Sequence, residues 1–205
     1  MRYLYLPFSH YQADDSWAGT VDRYRSKGHT VIEHSRTWKP LRALGANDVL
    51  IIMGHGGKGA SGRGFLSVKR VDLHGNETWP EMTANDLAIQ LESDGLSKNH
   101  RIVKSLTCYG GGAWKLDGNN HQLYGKDNDY FAKLLAMALG LRGYNNIVVG
   151  GYPGTVGSTT DQKMVFFRVI NNGAGNYNPD PDGEVGTSTT GYIQWFDSHG
   201  NDAAP

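Results

Sequence analysis

The stretch DVLIIMGHGG, Asp48–Gly57, decides the fold. Val49–Met53 is a run of five apolar residues, the pattern of a strand buried on both faces, and Gly-His-Gly-Gly ends it abruptly. Such a strand belongs to a parallel sheet covered by helices, and its surroundings agree. Upstream, Arg2–Phe8 predicts a first strand, Trp17–Lys27 a helix closed by Gly28, and Thr30–His34 a second strand. Downstream, Gly64–Thr78 alternates and breaks at His74-Gly75-Asn76, as a hairpin does. Thr83–Asp86 resembles a capping box with Asp in place of Glu and predicts a helix over Leu87–Ser93. Arg101–Leu106 (RIVKSL) predicts a further strand, Tyr130–Leu141 an apolar helix, and Asn146–Val149 a strand ending at Gly150-Gly151. This order predicts an α/β fold with a mostly parallel sheet flanked by helices.

Past Pro153 the texture changes to Gly, Asn, Thr and Asp. Two strands, Met164–Ile170 and Tyr192–Phe196, are expected on either side of a long loop, Asn171–Gly191, placed as an activation element would be. A tail of about 50 residues is too short to hold a core easily by itself. The chain therefore reads as a single domain, 1–205, with an α/β core over 1–153 and a β-rich appendage over 154–205.

Twenty basic residues balance twenty acidic ones in 205, so no global field steers the protein to nucleic acid or an anionic membrane. No apolar stretch is long enough to span a bilayer, and the N-terminus lacks the apolar core of a signal peptide. The expectation is a protein cytoplasmic as synthesised, or exported without a signal peptide. Cys108 is the single cysteine, which excludes an internal disulfide and a Cys-rich zinc site. The histidines lack the spacing of a helical zinc site, so no metal or cofactor is expected. Asn178–Glu184 (NPDPDGE) begins like a calcium loop, but Thr189 stands where the closing Glu belongs, and a solvated acidic turn is the expectation.

In an open parallel sheet, functional groups gather beyond the carboxyl ends of the strands. Two such ends carry reactive side chains: His55 after DVLIIMG and Cys108 after RIVKSLT. On neighbouring strands about 4.8 Å apart, the two face one cleft. A thiol needs a nearby imidazole to take its proton. The backbone amides of Gly56 and Cys108 are placed to meet a developing oxyanion. Tyr109, Gly151, Tyr152 and Pro153 are the candidate substrate-binding residues, while Trp79 and Trp114 read as packing aromatics. GHGG also matches the oxyanion loop of lipases, but no serine has the required G-x-S-x-G context. Cys108-Tyr109-Gly110-Gly111 also fits the cysteine elbow of a glutamine amidotransferase-like or DJ-1-like hydrolase, which would take its histidine from downstream, His121 or His199.

An apolar strand ending in His-Gly, then 53 residues on an apolar strand ending in Cys, resembles the caspase, gingipain, clostripain and legumain clan of cysteine peptidases. GHGGKG, the glycine-flanked hairpin, TANDLAIQLESDGL, TCYGGG, FAKLLAMALGL and NIVVGGYPG follow in the order of the peptidase domains of autoprocessing RTX and large clostridial toxins. The resemblance spans roughly Asp48–Gly154. It implies a caspase-like three-layer sandwich with a C-terminal β-rich flap and a peptide or protein substrate. His55 would be the catalytic histidine and Cys108 the nucleophile, in a setting such as a bacterial effector. It also implies activation by inositol hexakisphosphate, which those domains hold with many Lys and Arg residues. After Gly150 only Lys163 and Arg168 are basic, against Asp161, Asp180, Asp182, Glu184, Asp197 and Asp202, which predicts a poor hexaphosphate partner. A caspase-like scaffold serving only as a binding module is the non-enzymatic alternative.

Overall fold

The computed structural model describes residues 1–8, 15–58, 64–108, 114–116, 122–124, 130–152, 155–158, 164–171, 177–187 and 193–205. Its centre is a seven-stranded sheet built from β1 (Arg2–Leu6), β2 (Thr30–Glu33), β3 (Val49–Met53), β4 (Ile102–Leu106), β5 (Val148–Gly151), β6 (Gln194–Asp197) and β7 (Asp202–Ala203). The spatial order is β7-β6-β5-β4-β3-β1-β2. The five strands from β5 to β2 are parallel, and β6 and β7 add an antiparallel edge. The mixed α/β class and mostly parallel sheet expected from the sequence are present.

Strand residues alternate between two cores because successive side chains leave opposite faces. On one face Tyr5, Leu50, Ile52, Val103, Val149 and Phe196 meet helices α2 (Ala84–Ser93) and α3 (Phe131–Gly140). Helix α2 contributes Ala84, Leu87, Ala88 and Leu91, the i, i+3, i+4, i+7 stripe of an amphipathic helix. The capping box is real: Asp86 N–H donates to Thr83 Oγ1, and the Asp86 carboxylate accepts from Thr83 N–H and from its hydroxyl. On the other face, helix α1 (Asp15–Ser26) covers Leu4, Leu6, Ile51, Met53, Leu106 and Tyr152 with Val21 and Tyr24. Gly28, in the left-handed conformation at φ +79°, ends that segment as the sequence predicts.

A buried polar knot fastens α2 to the β1 side of the sheet. The Asp94 carboxylate, 1 % exposed, accepts the Tyr5 hydroxyl at 2.6 Å and lies 3.0 Å from His34 Nδ1. Gln90 Nε2 donates to the Tyr5 oxygen and to the Pro7 carbonyl. Burial, then the neighbouring Asp94 carboxylate, push the Tyr5 phenol far above its ordinary range, so it stays a donor at every accessible pH.

The C-terminal expectations need correction. The appendage expected over 154–205 divides, because β6 and β7 join the central sheet and only 155–187 builds a separate one. That sheet contains Thr155–Ser158, Met164–Asn171 and Tyr177–Thr187 in that spatial order, all antiparallel. The loop expected over 171–191 thus contains an eleven-residue strand, which also replaces the acidic turn and any calcium loop at 178–184. Pro179 and Pro181 argue against a strand only if it is central. Tyr177–Thr187 is an edge strand with register shifts against Phe166–Val169, and edges and bulges are where proline is tolerated. The strand expected at Asn146–Val149 lies two residues later. Gly150 belongs inside it, since a Cβ there would sit 2.7–2.9 Å from the Ile193 and Trp195 side chains.

Candidate active site

Strands β3 and β4 are direct neighbours, paired in register from Val49↔Ile102 to Met53↔Leu106. His55 lies two residues past Met53 and Cys108 two past Leu106, so both emerge at the same carboxyl edge. The chain does not loop away at His55. It continues as a strand, His55–Lys58, pairing antiparallel with Gly64–Ser67, which pairs in turn with Glu81–Thr83.

Glycines let this small sheet press onto its supports. A Cβ on Gly56 would lie 2.1 Å from the Cys108 carbonyl oxygen, 3.0 Å from the Cys108 amide nitrogen and 3.0 Å from Thr107 Cβ. The backbones carrying the histidine and the cysteine therefore touch, at Gly56 and the Cys108 carbonyl. On the far side, a Cβ on Gly64 would lie 2.7 Å from the Phe131 amide nitrogen, at the start of α3. The Cys108 strand end is fixed by the buried Thr107 and Ser105 hydroxyls, 3.0 Å apart. Cys108, the single cysteine, forms no disulfide and is partly buried.

Trp79, expected to be a packing aromatic, lies against His55 with ring centroids 5.2 Å apart and planes at 71°, and it remains 48 % exposed. An indole placed on a polar hairpin and followed by Pro80 was the available sequence signal. Beside Gly54, the residues Leu6, Pro7, Phe8, Met53 and Val68, with Ser67, line an apolar recess.

Of the expected substrate-binding residues, Tyr109 and Pro153 lie outside the described residues, as do Gly110, Gly111 and His121. Gly151 closes β5 next to β4, paired with Ser105. Tyr152 is a correction: its side chain is 2 % exposed within the α1-side core. Burial raises its phenol above the usual range. His199 cannot serve Cys108. It follows β6, which runs antiparallel, and Asp197 pairs with Val148 at the opposite edge of the sheet.

The second feature absent from the sequence reading lies on the α1 face. Arg2, Arg23, Lys27, His29 and Lys104 line one pocket with Tyr24, Tyr152 and aliphatic walls, and among the described residues no carboxylate lines it. Arg23 Nη1 is buried with no hydrogen-bond partner among the described residues. Burial first, then Arg2, lower the pKa of both Lys104 and His29 below their ordinary values. Burial also raises the Tyr24 phenol to about 12, outweighing Arg23 and Arg2. Lys104 Nζ also lies 5.6 Å from the centroid of the Trp195 ring. Lys104, the one charged residue of β4, was the visible signal. Among the described residues, no cluster of metal-ligating side chains occurs and no helix is long and apolar enough to cross a membrane. No protein-family model matches the sequence, and no curated protein matches it.

Proposed function

We propose that the protein is a cysteine endopeptidase of caspase-like fold, with Cys108 as nucleophile and His55 as general acid and base. The observation that supports this best is the Gly56–Cys108 backbone contact, which holds the two strand ends together at one sheet edge. His55 takes the Cys108 proton as Sγ attacks the scissile carbonyl carbon. Amides of Gly56 and Cys108 receive the tetrahedral oxyanion. Collapse breaks the C–N bond, His55 returns the proton to the leaving amine, and a thioester remains on Cys108. Water, deprotonated by His55, then releases the acid and restores the thiol. The toxin peptidases that the sequence resembles prefer leucine before the cut.

Labelling tests the dyad. A peptidyl chloromethyl ketone should modify Cys108 faster than it modifies a free thiol, and His55→Ala should remove that advantage, both read by mass spectrometry. A Cys108 no more reactive than free cysteine, and indifferent to His55, overturns the peptidase reading.

The resemblance also extends to inositol hexakisphosphate, and the pocket of Arg2, Arg23, Lys27, His29 and Lys104 supports that ligand better than the acidic C-terminal segment does. Its affinity should rise as pH falls from 7.5 to 6. The free protein disfavours the protonated form of His29, and a bound anion favours it, so binding takes up protons. Calorimetry in two buffers of different ionisation enthalpy measures that uptake. Binding that is independent of pH, or unaffected by Arg23→Ala with Lys104→Ala, counts against this site.

A further inference from the structure

Trp79 is positioned to do more than pack. It stands two residues before Glu81, which pairs with Ser67, which pairs with His55, so the indole reaches across the small sheet to the imidazole. The hairpin that delivers it is ordered. Lys69 and Glu77 form an ion pair across it. Asp72 accepts hydrogen bonds from the backbone of His74 and Asn76 and from the Asn76 side chain. Pro80 restricts Trp79 itself to extended backbone. A large aromatic held this way with half its surface in water is an unfilled apolar contact.

We infer that Trp79 forms the wall of the cleft on the leaving-group side and selects a bulky apolar or aromatic residue immediately after the scissile bond. This rests on the peptidase reading above. To receive the His55 proton, the leaving nitrogen must come within about 3 Å of the imidazole. The side chain of the residue bearing that nitrogen begins one atom further on, within reach of whatever lies against His55. That neighbour is Trp79, whose side chain is about half exposed. An apolar side chain there covers indole surface, whereas glycine leaves it wet.

Peptides differing only at the first position after the cut test this, with the full-length protein and its Trp79→Ala and Trp79→Phe variants. The wild type should cleave Phe and Leu peptides with higher kcat/KM than the Gly peptide. Trp79→Ala should cut that ratio by about 10-fold, and Trp79→Phe should retain most of it. Labelling of Cys108 by a chloromethyl ketone, which carries nothing beyond the reacting carbon, should change less than about threefold. The melting temperature should stay close to wild type, as the side chain is half-exposed. A wild type that prefers Gly or Lys after the cut, or a Trp79→Ala ratio equal to wild type, overturns the assignment while leaving the peptidase intact. Labelling that falls as far as cleavage also overturns it, since Trp79 would then act through His55. A wild type with an unreactive Cys108 removes both readings together.

Discussion

Gly56→Ala is expected to lower peptide cleavage by about 100-fold or more, although it adds only one methyl group. The new carbon would stand 2.1 Å from the Cys108 carbonyl oxygen, and that neighbour is backbone, with no rotamer to turn away. Relief requires the His55 strand and the Cys108 turn to separate by about 1 Å, a displacement large enough to cost that factor in a positioned reaction. It would also shift one of the two amides proposed for the oxyanion. Gly54→Ala is the matched control, because its Cβ meets Leu66 Cδ2 at 2.9 Å, the far end of a flexible side chain. The expected order of kcat/KM is wild type, then Gly54→Ala, then Gly56→Ala far below, with Cys108 labelling following the same order. A Gly56→Ala protein of full activity would mean that the two strand ends do not form one site.

Asp94→Ala should be the most destabilising single change away from the site, about 3 kcal/mol in urea denaturation. It deletes the acceptor of the fully buried Tyr5 hydroxyl and the partner of His34 Nδ1, whose side chain is partly exposed. Each unsatisfied group costs about 1–3 kcal/mol. Asp94→Asn keeps an acceptor for Tyr5 and should lose less than half as much. Equal losses for the two variants would mean that the ionised carboxylate, not the hydrogen bond to Tyr5, holds the knot.

The parts of this fold that were legible in sequence are those set by local pattern. Val49–Met53 and Arg101–Leu106 declare themselves as buried strands by composition, and Thr83–Asp86 declares a helix start by its hydrogen-bonding groups. The pairing of β3 with β4 was legible only as a condition, because neighbours in a parallel sheet are joined through long crossovers. The strand at Tyr177–Thr187 was illegible for a different reason. Its prolines and glycine carry a turn signature, and only its place at a sheet edge makes them compatible with a strand. Tyr152 was placed by proximity to a glycine turn, yet side chains alternate along a strand and its own points into the α1-side core. The basic pocket gathers Arg2, helix α1 and Lys104 from three distant stretches. No window of sequence contains it.

The return of β6 to the central sheet has an architectural consequence. Gly151 and Gln194 stand opposite each other on β5 and β6, so the chain leaves and re-enters the core through one doorway. Topologically, the sheet of residues 155–187 is an insertion within a hairpin and not a terminal extension. A segment pinned at two adjacent points can lengthen, shorten or be exchanged for a tight turn at small entropic cost, since closure scales only with the logarithm of its length. The central sheet keeps its strand order through any such exchange. The architecture thus separates the central sheet, at whose carboxyl edge the cysteine and histidine stand, from a segment inserted between two of its paired strands.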